Sequence, residues 1–170
     1  MTANFLLDQY RGQKNVVPAT ALKIGESGVI EDVTRSAGKS YYNSGNLVEV
    51  MICKATAALT SPAGKGVVFD NHASLFGNVG AFSSSIAVDG IADPELVGNI
   101  AIGDTFLVYR KGPMNIIAGA AIAAGDGVKG TTGGKFVTAT EMAPTRRGRL
   151  MVAAAADTNI RRAVMDFTIP

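Results

Sequence analysis

Residues that do chemistry are scarce in this chain. Its 170 residues include one histidine, His72, one cysteine, Cys53, and no tryptophan. A structural zinc needs clustered His, Cys or carboxylate ligands, so a site of that kind is excluded. A lone cysteine closes no intrachain disulfide, which rules out a disulfide-stapled scaffold. Cys53 lies in the apolar run LVEVMICKA and reads as an inert core thiol. A Ser-His-Asp triad would have to use His72, and no Gly-x-Ser-x-Gly elbow accompanies it. Ala37-Gly38-Lys39-Ser40 has the ending of a phosphate loop. The leading glycine is missing, however, because that position holds Val33, and no strand–helix context surrounds it. Asp70-Asn71-His72 is the one run that could touch an ion, and a strand ending in a turn explains it more simply. No enzymatic activity, metal or cofactor is expected.

Charge is also sparse. Charged residues make up 18% of the chain and the net charge is +2, against about a quarter charged in an ordinary globular domain. A dedicated nucleic-acid binder carries a basic stripe with interleaved aromatics, so nucleic acid is not an expected partner. The dense basic cluster is Arg146, Arg147 and Arg149, followed by the pair Arg161-Arg162. Arginine pairs carboxylates and phosphates bidentately. The cluster reads either as a solvated loop or as a docking point. No apolar run approaches the roughly 18 residues of a membrane span, and MTANFLLDQYRG lacks the pattern of a signal peptide. The expectation is a protein made in the cytoplasm with no membrane partner.

Helical periodicity is missing too. Asp93-Pro94-Glu95-Leu96-Val97-Gly98 is a single helical turn, with Asp93 as cap, Pro94 at the first position and Gly98 as stop. The alanine runs at 118–124 and 153–156 are short and bounded by Gly or Asp, and read as strand or loop.

What is present is β signal and turn signal. The 47% apolar content and 20 glycines describe a globular, turn-rich chain. The stretch Ile116–Val137 organises it: small and branched apolar residues, a turn at Gly125-Asp126-Gly127, a short strand, then a turn at Gly133-Gly134. Leu47–Thr56 is the clearest strand. Val48, Val50 and Ile52 take one face and Leu47, Met51 and Cys53 the other, so both faces are expected to be covered. Strands are also expected at 66–70, 79–82, 86–92, 105–110, 150–155 and 160–169, with Gly112-Pro113 ending the one at 105–110. In the last strand, Ala163, Met165 and Phe167 share one face and Arg162 and Asp166 the other. Residues 34–46, TRSAGKSYYNSGN, read as a loop carrying Tyr41 and Tyr42, a packed tip or an interface. A small echo recurs at Gly25-Glu26, Gly64-Lys65, Gly103-Asp104 and Gly125-Asp126, each where a strand is about to begin.

The fold expected is all-β: a compact barrel or sandwich of short antiparallel strands with an extended N-terminal arm. The arm is residues 1–20, either a frayed terminus or a segment packing on a neighbouring subunit. Residues 21–170 form a single β domain, or two small β modules meeting near 112–118.

The segment from about Gly90 to Ile169 resembles the head decoration, or cement, proteins of tailed bacteriophages. The likeness is carried by GIADPELVGNIAIGDTFLVYRKGP, AGAAIAAGDGVKGTTGGKFVTA and RRGRLMVAAAADTNIRRAVM. The longer N-terminal half and the arginines at 146–149 depart from that pattern. The resemblance implies a structural virion protein on the exterior of an expanded capsid, cementing neighbouring subunits. Its partners would be the major capsid protein and itself, as a homotrimer. Candidate capsid-binding residues are Phe5, Leu6, Tyr10 and Arg11 in the arm, and Arg146, Arg147 and Arg149. Candidate oligomer-interface residues are Phe106, Val108, Tyr41 and Tyr42. A phage tail or baseplate β module and a carbohydrate-binding β module using Tyr41 and Tyr42 are the rival readings.

Overall fold

The computed structural model describes residues 7, 10–15, 24–36, 39–70, 77–84, 87–140 and 147–167. For 32–36 and 39–46 the description is of the backbone path. The fold is all-β. Among the described residues the strands are β1 (Ser27–Ser36), β2 (Lys39–Ala55), β3 (Gly66–Phe69), β4 (Asn78–Phe82), β5 (Gly90–Ala92), β6 (Thr105–Ile117), β7 (Gly127–Gly130), β8 (Phe136–Ala139), β9 (Gly148–Leu150) and β10 (Ile160–Asp166). Among the described residues, no helix is long and apolar enough to cross a membrane.

All ten strands belong to one sheet, ordered β1-β2-β4-β3-β5-β6-β10-β9-β7-β8, with β6 also pairing back onto β2. That extra pairing closes a five-stranded ring, β2-β4-β3-β5-β6. Every ring contact is antiparallel except β2 with β4, which is parallel. Inside the ring lies one core, built on Met51, Cys53, Val67, Phe69, Phe106 and Val108. The alternate residues of the same strands, Val50, Ile52, Leu107 and Tyr109, face outward. There they form a second core with Met114, Ile116, Val128, Phe136, Leu150 and Met165 from the extension β6-β10-β9-β7-β8. This is why the run from Val48 to Ala55 is apolar on both faces: each face belongs to a different core, whereas Leu47, expected on a covered face, is exposed.

The four echoes share one device, a glycine of positive φ that opens a bulge at the start of a strand. Gly25, Gly64, Gly103 and Gly125 all have positive φ, at 86°, 70°, 92° and 87°. In the last three, the next residue's N–H donates back three residues: Lys65 to Pro62, Asp104 to Ala101 and Asp126 to Ala123. A glycine with positive φ at the third position is what a type II turn requires. Each glycine N–H also donates to a carbonyl on the neighbouring segment, at Ile52, Ala92, Ala55 and Leu150 respectively. That same neighbour donates its own N–H to the carbonyl of the residue after the glycine. Two residues thus oppose one, which is a glycine bulge. Strands β1, β3, β6 and β7 enter the sheet by this device.

Three expectations change. Residues 34–36 and 39–46 are strand, not loop: β1 and β2 continue as a hairpin to the pair Ser36 and Lys39. Backbone ladders need no apolar alternation, so a polar ribbon is invisible to a hydrophobic pattern. Gly112-Pro113 does not end β6, which runs on to Ile117 and crosses the point where two modules were considered to meet. Phe167 donates to the Arg110 carbonyl and Ala118 to that of Asn159. This spacing leaves Pro113, paired with Val164, at a non-hydrogen-bonded position. Its missing N–H therefore costs no bond to β10. Gly112, with φ 118°, lets β6 pass close to β2: a Cβ there would lie 3.3 Å from the Leu47 carbonyl oxygen. Finally, β2 and β6 are long rather than short, because each serves both the ring and the structure beyond it.

Candidate functional site

The arm residues described are docked on their own chain. Leu7 is buried in the outer core and its N–H donates to the Val29 carbonyl, extending the edge of β1. Tyr10 packs against the same core. Asn15 donates to the Thr105 carbonyl, and the Lys14 ammonium reaches the carbonyl of Asn99. Leu7 and residues 10–15 thus pack on their own chain, with Leu7 buried and Tyr10 half-buried. Phe5 and Leu6 lie outside the described residues.

A buried polar cluster pins this segment. The Asp93 carboxylate accepts the Gly12 N–H at 2.6 Å and the Glu95 N–H at 2.9 Å. The second bond is the capping role expected of Asp93, although the segment makes one turn, closed by Leu96 N–H to the Asp93 carbonyl, and no helix. Arg11 pairs with Glu95 at 3.5 Å. The Tyr109 hydroxyl feels the Asp93 carboxylate as well. Burial disfavours the charged carboxylate, and the Asp93 pKa is pushed up to about 6 despite its backbone donors. Burial also holds the Tyr109 hydroxyl well above its usual range. Arg162 is half-buried, its pKa lowered by burial and by the charge of Arg11. Arg11 is thus spent on a structural latch.

The arginine turn is split. Arg146 lies outside the described residues. Arg147 and Arg149 bracket the start of β9, where Gly148 pairs with Met165 and Arg149 with Val164. A Cβ on Gly148 would meet the Val164 carbonyl oxygen at 2.2 Å, so β9 and β10 come this close only through glycine. Arg149 is exposed and its guanidinium donates to the Gly125 carbonyl at 3.1 Å.

The proposed oligomer residues part company. Phe106 and Val108 are fully buried inside the five-stranded ring. They present nothing to another subunit, because inward positions of a closed ring have no outer surface. Tyr41 and Tyr42 lie on β2 within the hairpin, with Tyr41 opposite Thr34.

Among the described residues, no group of three or more His, Cys, Asp or Glu side chains could hold a metal ion. Cys53 is buried and burial pushes its thiol far up, away from reactivity. Asp70 accepts a hydrogen bond from the Thr56 hydroxyl at 2.7 Å, a strand-end tie; Asn71 and His72 lie outside the described residues. Sequence reasoning missed Asp93 as a buried anchor. It also missed the exposed side chains of the extension, Met151, Val152, Ile160 and Val164. The strand pattern of 160–169 carried that signal, since Ile160 and Val164 fall on its polar face.

No protein-family model matches the chain, and no curated protein matches it. Among solved structures, it is similar to the head fiber gp8.5 N base of bacteriophage phi29. The likeness has a TM-score of 0.52 at 15% identity, covering 71% of this chain and 96% of that one. At that identity the likeness is one of fold.

Proposed function

We propose that this chain is a structural, non-catalytic component of a phage virion, seated on the outside of the capsid. The observation that carries this reading is the fold it shares with the base of a phage head fiber. The resemblance of its second half to head decoration proteins points the same way. In the finer form of the proposal, the protein cements neighbouring subunits of the expanded capsid as a homotrimer. Several modest contacts per trimer then sum to a tight hold. The same fold favours a second reading, a base that anchors a projecting part without clamping the shell.

Expanded heads lacking the protein test both. Saturable co-sedimentation at a fixed ratio, absent with isolated tails, is the expected result. Binding to tails alone would overturn it. Heads that resist heat better once loaded indicate cementing; heads that bind the protein with unchanged resistance indicate an anchoring base. Light scattering of the purified protein reads the oligomeric state.

A further inference from the structure

Leu7 and residues 10–15 form a strap. Its ties end on β1, on the ring and on the turns between ring strands. Leu7 N–H donates to the Val29 carbonyl, Gly12 N–H to the Asp93 carboxylate and Asn15 N–H to the Thr105 carbonyl. Arg11 pairs with Glu95, and the Lys14 ammonium reaches the Asn99 carbonyl. The strand pairings that close the ring use no strap residue. The strap's apolar cover is thin: Leu7 is buried, Tyr10 and Arg11 are half-buried, and residues 13–15 are exposed. A segment with few buried apolar contacts opens locally at a lower free energy than the whole fold.

Gly12 brings the strap down onto Asp93. Its φ is 68°, and a Cβ there would lie 2.9 Å from the Glu95 carbonyl oxygen, so glycine alone approaches this closely. The Gly12 N–H thereby meets the carboxylate of a residue that is 0% exposed.

We propose that the strap opens as a unit while the ring stays closed, and that a proton on the Asp93 carboxylate holds it shut. The open form vacates the place of Leu7 in the outer core and the Val29 carbonyl on the edge of β1. The sign follows from solvation. Burial opposes the carboxylate anion more strongly than the amides of Glu95 and Gly12 and the charge of Arg11 favour it, so the Asp93 pKa is pushed up from 3.8 to about 6. Lifting the strap returns the group to water and to its ordinary range. The closed form thus holds a proton that the open form sheds to solvent. Closure is tightest in acid, weakens as pH rises toward about 6 and stays constant above it. The neighbours of Asp93 are Arg11 on the strap, Glu95 on its own turn and Tyr109 on β6, with Arg162 on β10 acting on Arg11. Both arginines stay charged and Tyr109 stays neutral through this range. Glu95, the other carboxylate of the cluster, is therefore the control.

The test is amide hydrogen exchange of the full chain by NMR from pH 4.5 to pH 7, each amide corrected for its intrinsic rate. Gly12 and Asn15 report the strap. Asp89, whose N–H donates to the Val67 carbonyl within the ring, is the reference. The Asp93 carboxyl carbon shift is followed in the same samples, so the wild type alone carries the test. The strap amides are expected to be at least about a hundredfold less protected than Asp89. Their protection should fall by at least about tenfold over the range and level off near the pH at which the Asp93 carbon titrates. Glu95→Gln should leave that fall in place, and Asp93→Asn should remove it. Equal protection of Gly12, Asn15 and Asp89 at every pH would mean that the strap has no opening of its own. Protection that rises with pH would reverse the sign. A fall that disappears in Glu95→Gln, or that runs while the Asp93 carbon shift stays constant, would assign the proton elsewhere. Each of these three results overturns the proposal.

Discussion

The closed ring and the β9–β10 extension are parts of one sheet, yet they use apolar residues differently. Where β2 and β6 pair in the ring, from Val50 to Cys53 and Phe106 to Tyr109, both faces are covered and the apolar residues are spent on folding. In the extension, Ala163 and Met165 are buried while their neighbour Val164 is exposed. A strand with one open face has room for recognition; a strand with none does not. The contrast separates the residues that hold this protein together from those that are free to touch something else.

That separation can be broken by experiment. The largest expected effect is in the ring: Phe106→Ala should cost about 3–5 kcal/mol by chemical denaturation. A loss near zero would mean that Phe106 is not a core residue. Next comes the latch between ring and arm. The Asp93 pKa of about 6 lies above its ordinary value of 3.8. The folded state therefore binds a proton that the unfolded state does not, between about pH 6 and pH 4. Stability should rise as pH falls through that window and be lost again as pH rises through about 6, by on the order of 3 kcal/mol. Melting temperatures across pH 4–8 would show this slope, and Asp93→Asn should flatten it. An unchanged slope in the variant would assign the effect to another group.

Smaller effects sharpen the same comparison. Gly103 and Gly125 have no atom within 4 Å of an added Cβ, so alanine there meets only the backbone penalty. Gly103→Ala, at the entry of a ring strand, should lose about 1–2 kcal/mol. Gly125→Ala, at the entry of the extension, should lose the same if the two turns are truly one device. Unequal losses would separate them. The smallest change belongs to the open face: Val164→Thr should move stability by less than about 0.5 kcal/mol. A larger loss would show that this face is part of the fold after all.

Much of this was legible in the residues. The all-β class, the strand at 47–56, the inward face of β10 and the four glycine turns follow from local rules. Period-two alternation reports burial, and glycine with a charged neighbour reports a turn. The polar hairpin was not legible, because its strands are defined by hydrogen bonds between Ser, Asn and Tyr backbones, not by burial. Nor was β6 beyond Pro113 legible, since a proline reads as a stop unless its pairing phase is known. Phe106 and Val108 looked like interface residues because a sequence shows that a residue is apolar, but not which side of a closed ring it faces.

By itself, then, the sequence determined the secondary-structure class, the turn positions and the poverty of chemical groups, since each depends on residues near one another in the chain. The tertiary structure alone decided that β6 returns to β2 and closes a ring, that the arm latches onto Asp93, and that Val164, Met151 and Ile160 share an open face with Arg149. Those facts depend on pairings between residues far apart in sequence. Such pairings arise from chain geometry and competition for burial, which no local pattern records.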